Sequence, residues 1–287
     1  ENGDAVEVKN LLESGADADS ESEGDIPLIE AALEGHAGVM EELLKAGADP
    51  NSMDGDGTTP VMACIEDGHA TQLEKLLEKL LSARADPNRQ MDRVGKCECN
   101  SPVNMAAYRG HLKVLRMLLE ARADPNSLDG GGETPLVQTL RHWEGGHGHR
   151  AHRDGNGTAD REEAVQLLLS TRAEVSKAVT YGRQHTPLTA AADGGLRREL
   201  DLLLDARAPV NQLNGLGRTA LMRAALRGHT EVVEVLLESK ADVMFRDRGM
   251  QTASSLAALH NHRRMMELLE AAAPKGLAYW QYQLMCP

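Results

Sequence analysis

The chain has 287 residues, a formal net charge of −13 and only 2% aromatic residues. An acidic balance of this size argues against a phosphate-backbone binder and against adsorption to anionic lipid. No apolar run approaches the roughly 18 residues of a membrane-spanning helix, and the scarcity of aromatics leaves Leu, Val, Ala and Met to build the core, which suits closely packed helices.

Taken in chain order, residues 3–19 read as a half-repeat, a short Val/Leu helix followed by Gly15, Asp17 and Asp19. Asp17, Asp19, Glu21, Glu23 and Asp25 form an acidic stretch read as a solvated face. Pro27 then opens the first full repeat. Pro27 to Pro60 is 33 residues, Pro102 to Pro135 is 33, Pro187 to Ala220 is 33, and Ala220 to Ala253 is 33. Two intervals are longer: Pro60 to Pro102 is 42 and Pro135 to Pro187 is 52, one period plus 9 and plus 19 residues. A fixed period of this length marks an array in which each repeat packs only on its neighbours.

Each repeat reads as two helices. Thr59, Thr134 and Thr186 are placed to cap the first helix, with the following Pro at its first position, where a missing N–H costs nothing. Small residues such as Ala106-Ala107 and Ala224-Ala225 allow close helix approach, and Gly ends the helix, as at Gly110. Gly-His recurs at Gly35-His36, Gly68-His69, Gly110-His111 and Gly228-His229. The second helix carries a Val/Leu stripe, as in Val232-Val233-Glu234-Val235-Leu236-Leu237. Ala-Asp-Pro-Asn follows at Ala48, Ala85 and Ala123, then an Asp/Gly-rich turn that fits a protruding hairpin.

The excesses predict insertions. About four residues are expected to lengthen the second helix near 77–81, and about five to lengthen the hairpin at 90–100, which holds Cys97-Glu98-Cys99. The 19-residue excess is expected as a polar loop over 142–160. Its His147, His149 and His152, with His142, are either solvated loop residues or a weak zinc or nickel site, since no Cys or carboxylate spacing accompanies them. Trp143 is either a partner anchor or a residue folded back on the array. Residues 252–273 form a degenerate last repeat. Residues 277–287 leave the pattern as an aromatic tail with Tyr279, Trp280 and Tyr282, either an end cap or a docking piece.

These residues resemble the ankyrin repeat at Thr-Pro-Leu, Ala-Ala, Gly-His, Leu-Leu and Ala-Asp-Pro-Asn, across residues 1–276. The wording Arg/Lys-Ala-Asp-Pro-Asn is similar to ankyrin arrays of unicellular algae. The resemblance implies an all-α solenoid of helix-turn-helix repeats with protruding hairpins, curved around a concave groove. It implies a protein partner lying on first helices and hairpin tips. On that pattern the contact positions are Leu33, Tyr108, Leu226 and Leu259, with Arg109, Arg227, Glu34 and His260 beside them. On the hairpins they are Met53, Gln90, Leu128, Leu213, Phe245 and Arg246, with Trp143 and Trp280 added from the irregular segments. Two departures stand out. The family's His after Thr-Pro-Leu is replaced by Ile29, Met62, Asn104, Val137, Thr189, Met222 and Ser255, so the bonds it makes between repeats must be replaced or lost. The Gly after the second helix survives at Gly15 and Gly47 but is Arg84, Arg122, Arg172, Arg207 and Lys240 elsewhere, either a tolerated cap or a basic stripe.

No phosphate-binding loop, nucleophile elbow or zinc-protease motif occurs, and the many acidic residues are expected on exposed surfaces with little to perturb them. No cofactor is expected. The four cysteines (Cys64, Cys97, Cys99 and Cys286) are too few for a disulfide scaffold and are expected as reduced thiols. The expectation is therefore a non-catalytic scaffold or adaptor for proteins, intracellular, cytoplasmic or organellar, monomeric within a hetero-complex. A fixed accessory subunit of a large organellar assembly and a regulatory part of a larger enzyme are the alternatives. The start at Glu1 is expected of a mature or trimmed chain whose targeting segment is absent.

Overall fold

The structure is a computed structural model that describes residues 4–21, 24–67, 72–90, 101–142, 157–176 and 185–273. The described residues form helices in pairs. A lone α1 (Ala5–Glu13) precedes α2 (Pro27–Leu33) with α3 (Ala37–Lys45), α4 (Pro60–Asp67) with α5 (Leu73–Ser82), and α6 (Pro102–Arg109) with α7 (Leu112–Glu120). There follow α8 (Pro135–His142) with α9 (Gly157–Ser170), α10 (Pro187–Gly194) with α11 (Arg197–Asp205), α12 (Ala220–Arg227) with α13 (Thr230–Glu238), and α14 (Ala253–Leu259) with α15 (Arg263–Ala272). The described helices gather into two compact bodies, one within residues 4–130 and one within residues 131–273. Within the first, α2, α4 and α6 pack in one row and α1, α3, α5 and α7 in another; within the second, α8, α10, α12 and α14 form one row and α9, α11, α13 and α15 the other.

The two rows bury different surfaces because their sequences differ. First helices are flanked on several sides, so nearly every position is buried: residues 102–107 of α6 and 220–225 of α12 are all enclosed, with Ala106, Ala107, Ala224 and Ala225 at 0% exposure. Alanine there leaves no side chain between neighbouring backbones. Second helices bury one stripe. Leu73, Leu76, Leu77 and Leu80 of α5 recur at the spacing of a single helix face. Burying each contributes about 1.5–3 kcal/mol.

The caps follow the expected chemistry and add to it. The hydroxyls of Thr59, Thr134, Thr186, Thr219 and Thr252 each accept from the backbone N–H three residues on. In α10 and α14 the third residue, Thr189 or Ser255, reciprocates by accepting from the N–H of the cap residue, forming full capping boxes. At the other end of the second helices, Arg84, Arg122, Arg172, Arg207 and Lys240 adopt left-handed φ between 63° and 69°, the region in which Gly15 and Gly47 stand. The N–H of the next residue then closes back onto the helix, as Ala85 to the Leu80 carbonyl at 2.9 Å and Ala123 to that of Leu118 at 2.9 Å. That turn seats the buried alanine of Ala-Asp-Pro-Asn.

Two of the three expected insertions differ in their bounds from the sequence expectation. Helix α5 has 10 residues against 9 in α3, α7, α11 and α13, so no full turn is added near 77–81. Instead α5 starts 13 positions after Pro60, where α7 starts 10 after Pro102, so three of the four residues expected there precede the helix, and the other five of the excess follow it, as expected for the hairpin. The loop expected over 142–160 is shorter at both ends: His142 closes α8, and α9 reaches back to Gly157, making it 14 residues long. The hairpin at 90–100 beyond Gln90, the polar segment 143–156 and the tail 277–287 lie outside the described residues.

Candidate functional site

The surface available for recognition is set by what holds adjacent repeats together, because residues used there are not free to bind. In the first body the tie is a ladder of side-chain amides. Asn51 accepts from the Asp86 N–H at 2.6 Å and donates to the Arg84 carbonyl at 3.4 Å; Asn88 does the same to Asp124 at 2.6 Å and Arg122 at 3.1 Å. The aspartate of each Ala-Asp-Pro-Asn accepts from the N–H two residues on, spanning the proline. The missing family histidine is replaced once: Asn104, fully buried, donates to the Ser127 carbonyl at 3.1 Å. Thr189 and Ser255 turn inward to the capping boxes instead, and Ile29, Met62, Val137 and Met222 are apolar and buried.

In the second body the ties are ionic. Glu199, 4% exposed, stands at the third position of α11, where Val39, Val114 and Val232 fill the core in other repeats. Arg161, 6% exposed, meets it at 2.6 Å from the added first turns of α9. Asp193 of α10 accepts from Arg223 at 2.5 Å and from Arg227 at 2.9 Å, both of α12. Burial pushes Asp193 up, but the Arg227 hydrogen bond and the Arg223 charge outweigh it and hold the carboxyl below its usual range. His229 donates from Nε2 to the Asp193 carbonyl at 3.0 Å, and its ring lies so close to Gly195 that a Cβ there would be 2.6 Å from Nδ1. Gly228 stands in the same relation to His262, so in Gly228-His229 the histidine packs on the preceding repeat and the glycine receives the ring of the following one. Glu133 holds Arg141, and Asp247 holds Arg218 at 3.0 Å. His185, 7% exposed, is pushed down to about 4 by burial and then by the charges of Arg141 and Arg223. The expectation that acids lie exposed is thus corrected at Glu199, Glu133, Asp129 and Asp247, all buried.

The expected contact residues fall into three groups. Leu213 at 40% and Leu259 at 65% are exposed, and Leu216 at 40% and Met250 at 58%, which sequence reasoning did not single out, join them. Leu33, Met53, Tyr108, Arg109, Leu128, Leu226, Phe245 and Arg246 are half-buried, and Arg89 lies across Met53, its Nε 3.3 Å from the sulfur. Gln90, Glu34 and His260 are exposed, the last stacked on His262 with ring centroids 6.1 Å apart. Arg227 is exposed but already committed to Asp193. Trp143, Trp280, His147, His149, His152, Cys97 and Cys99 lie outside the described residues. Among the described residues no group of three His, Cys, Asp or Glu is placed to hold a metal ion, and no helix is long and apolar enough to cross a membrane. Cys64 is buried and its thiol is pushed up to about 12 by burial, which leaves it unreactive. Between α3 and α5 an open depression of about 700 Å³ is lined by Glu41, Lys45, Lys75, Glu78 and Lys79, with Glu41 paired to both Lys45 and Lys79.

Comparison with known proteins agrees with this geometry. A family model described as ankyrin repeats (3 copies) matches residues 1–91, 156–247 and 201–275, and one described as ankyrin repeats (many copies) matches residues 103–137. The curated "Ankyrin repeat, SAM and basic leucine zipper domain-containing protein 1" of Mus musculus is 36% identical over 114 residues, and that of Homo sapiens 34% over the same length. The match covers 39% of this chain and 23% of each relative, so the chain spans less than a quarter of their length.

Proposed function

The chain belongs to the ankyrin repeat family, whose repeats are protein–protein interaction modules, and on that footing we propose that it is a non-catalytic adaptor. It receives its partner on hairpin tips and first helices, through Leu33, Met53, Tyr108, Arg109 and Leu128 in the first body and Leu213, Leu226, Phe245, Arg246 and Leu259 in the second. The observation that carries this reading is the exposure of Leu213, Leu216, Met250 and Leu259, which stand on hairpin tips and a first helix and, apart from Val6 and Leu11 of the terminal α1, are the large apolar side chains left exposed among the described residues. The rigid helix pairs beneath them keep the ordering cost of docking low.

Crosslinking mass spectrometry on the full chain in native extract tests it. Crosslinks to partners are expected within residues 209–219 and 242–252 and along α2, α6, α12 and α14. Crosslinks confined to the second helices count against it. One partner set at fixed stoichiometry would favour the accessory-subunit reading, and a single catalytic partner the regulatory one.

A further inference from the structure

The hairpins at 209–219 and 242–252 depart from the others in the repeat. The residue closing the hairpin turn is Gly24, Gly57, Gly132 or Gly217 in the other described hairpins, each with left-handed φ between 74° and 97°. In the last hairpin it is Met250, at φ 60°. A side chain there crowds its own backbone, and Met250 obtains no core burial in return, being 58% exposed. The neighbouring tip carries Leu213 and Leu216, each 40% exposed. The two tips adjoin: a Cβ on Gly217 would lie 3.0 Å from Cγ of Arg248, so the Arg248 stem rests against the residue next to Leu216. Of the charges on these tips, Arg218 is held by Asp247 at 3.0 Å, and Asp242 and Asp247 also accept from backbone N–H groups of their own turns. Arg248 is exposed and carries no ion pair with a described residue. The chain is strongly acidic, at −13, yet the side chain whose stem joins these two apolar tips is an arginine.

We propose that the two tips receive an extended segment of a partner protein that combines apolar side chains with a carboxylate. The apolar groups cover Leu213, Leu216 and Met250, and the carboxylate pairs with the guanidinium of Arg248, two of whose N–H bonds lie parallel and match a carboxylate's two oxygens. The strained Met250 is kept because its exposed side chain contributes to binding and not to folding. This rests on the protein-binding reading but assigns it a place and a partner chemistry.

The test selects twelve-residue peptides from a random display library on the full chain, then measures synthetic copies by fluorescence anisotropy against the parent and the Arg248→Glu, Leu216→Ser and Met250→Gly variants. Enriched peptides are expected to carry Leu, Ile, Phe or Met together with Asp or Glu. Arg248→Glu and Leu216→Ser are expected to weaken them about tenfold or more. Met250→Gly is expected to raise the melting temperature while weakening binding, opposite signs that unfolding cannot mimic. Peptides that are basic, or that bind all three variants like the parent, overturn the proposal. If those peptides are lost instead on Leu33→Ser or Leu226→Ser, the protein-binding reading stands and only this location fails. No enrichment at all overturns both.

Discussion

The body within residues 4–130 and the body within residues 131–273 build the same helix pair, yet they join one repeat to the next with different chemistry. The first relies on neutral amides: Asn51, Asn88 and Asn104 each bridge to the following turn, and its ion pairs, Lys45 with Glu41 and Lys113 with Glu74, sit on exposed helix faces. The second keeps one rung of the ladder, Asn211 to Asp242 at 2.8 Å, and adds charges that are shielded from water. Neutral bonds at a surface are worth little singly and fail gently. Buried ion pairs cost much to desolvate and fail steeply when one member is lost. The same repeat can therefore be stapled by either means, but the two bodies should answer differently to mutation and pH.

The sharpest way to break the comparison is to remove one member of the Arg161–Glu199 pair. Glu199→Ala removes the carboxylate that meets the buried guanidinium of Arg161 and is expected to cost about 3–5 kcal/mol, read by urea denaturation and by hydrogen exchange in α9 and α11. The double variant Arg161→Leu, Glu199→Val, which restores the valine of the other repeats, should return close to the parent. A single variant costing under about 1 kcal/mol would show that the pair is not desolvated.

Acid comes next. The folded-state value of His185, about 4, lies below its ordinary 6.5, so the neutral ring is favoured by folding. Its contribution is fully present above pH 6.5 and is lost as pH falls from 6.5 towards 4, on the order of 3 kcal/mol in all. Asp193, held below the usual carboxylate range, loses its contribution at still lower pH. Hydrogen exchange should open α10 and α12 before α4 and α6 across that window, and His185→Gln should flatten the difference. Simultaneous loss of protection in both bodies would contradict it.

A smaller effect is expected from Asn88→Ala in the first body, about 1–2 kcal/mol for its two bonds, with little dependence on salt. The smallest is Arg122→Gly. Relief of the left-handed conformation, roughly 1 kcal/mol, nearly cancels the loss of a cation at the helix C-terminus, worth about 0.3–1 kcal/mol. The melting temperature should barely move. A large drop would show that Arg122 does more than cap its helix.

Much of this architecture is legible in the residues because the cause is local and repeated. Thr before Pro, a leucine stripe and Gly or Arg before Ala-Asp each act within one turn of chain, so the period reports them directly. The Arg161–Glu199 pair shows why the rest was harder to read. A glutamate at 199, where other repeats carry valine, is a visible signal once the repeats are superposed, but its partner comes from an insertion whose helical continuation to Gly157 has no counterpart elsewhere in the array. The same holds for Arg227, which reads as a free surface cation until Asp193 is seen beside it. Met250 was passed over because its oddity lies in φ, not in composition.

By itself the amino-acid sequence determined the helix pair, its 33-residue repetition and the membership of a protein-binding family, since these follow from short-range capping and periodic burial. Only the tertiary structure decided which charged residues are spent inside the fold and which apolar ones are left outside it. That choice depends on side chains brought together from about 29 to 38 positions apart, where local pattern carries no information and packing does.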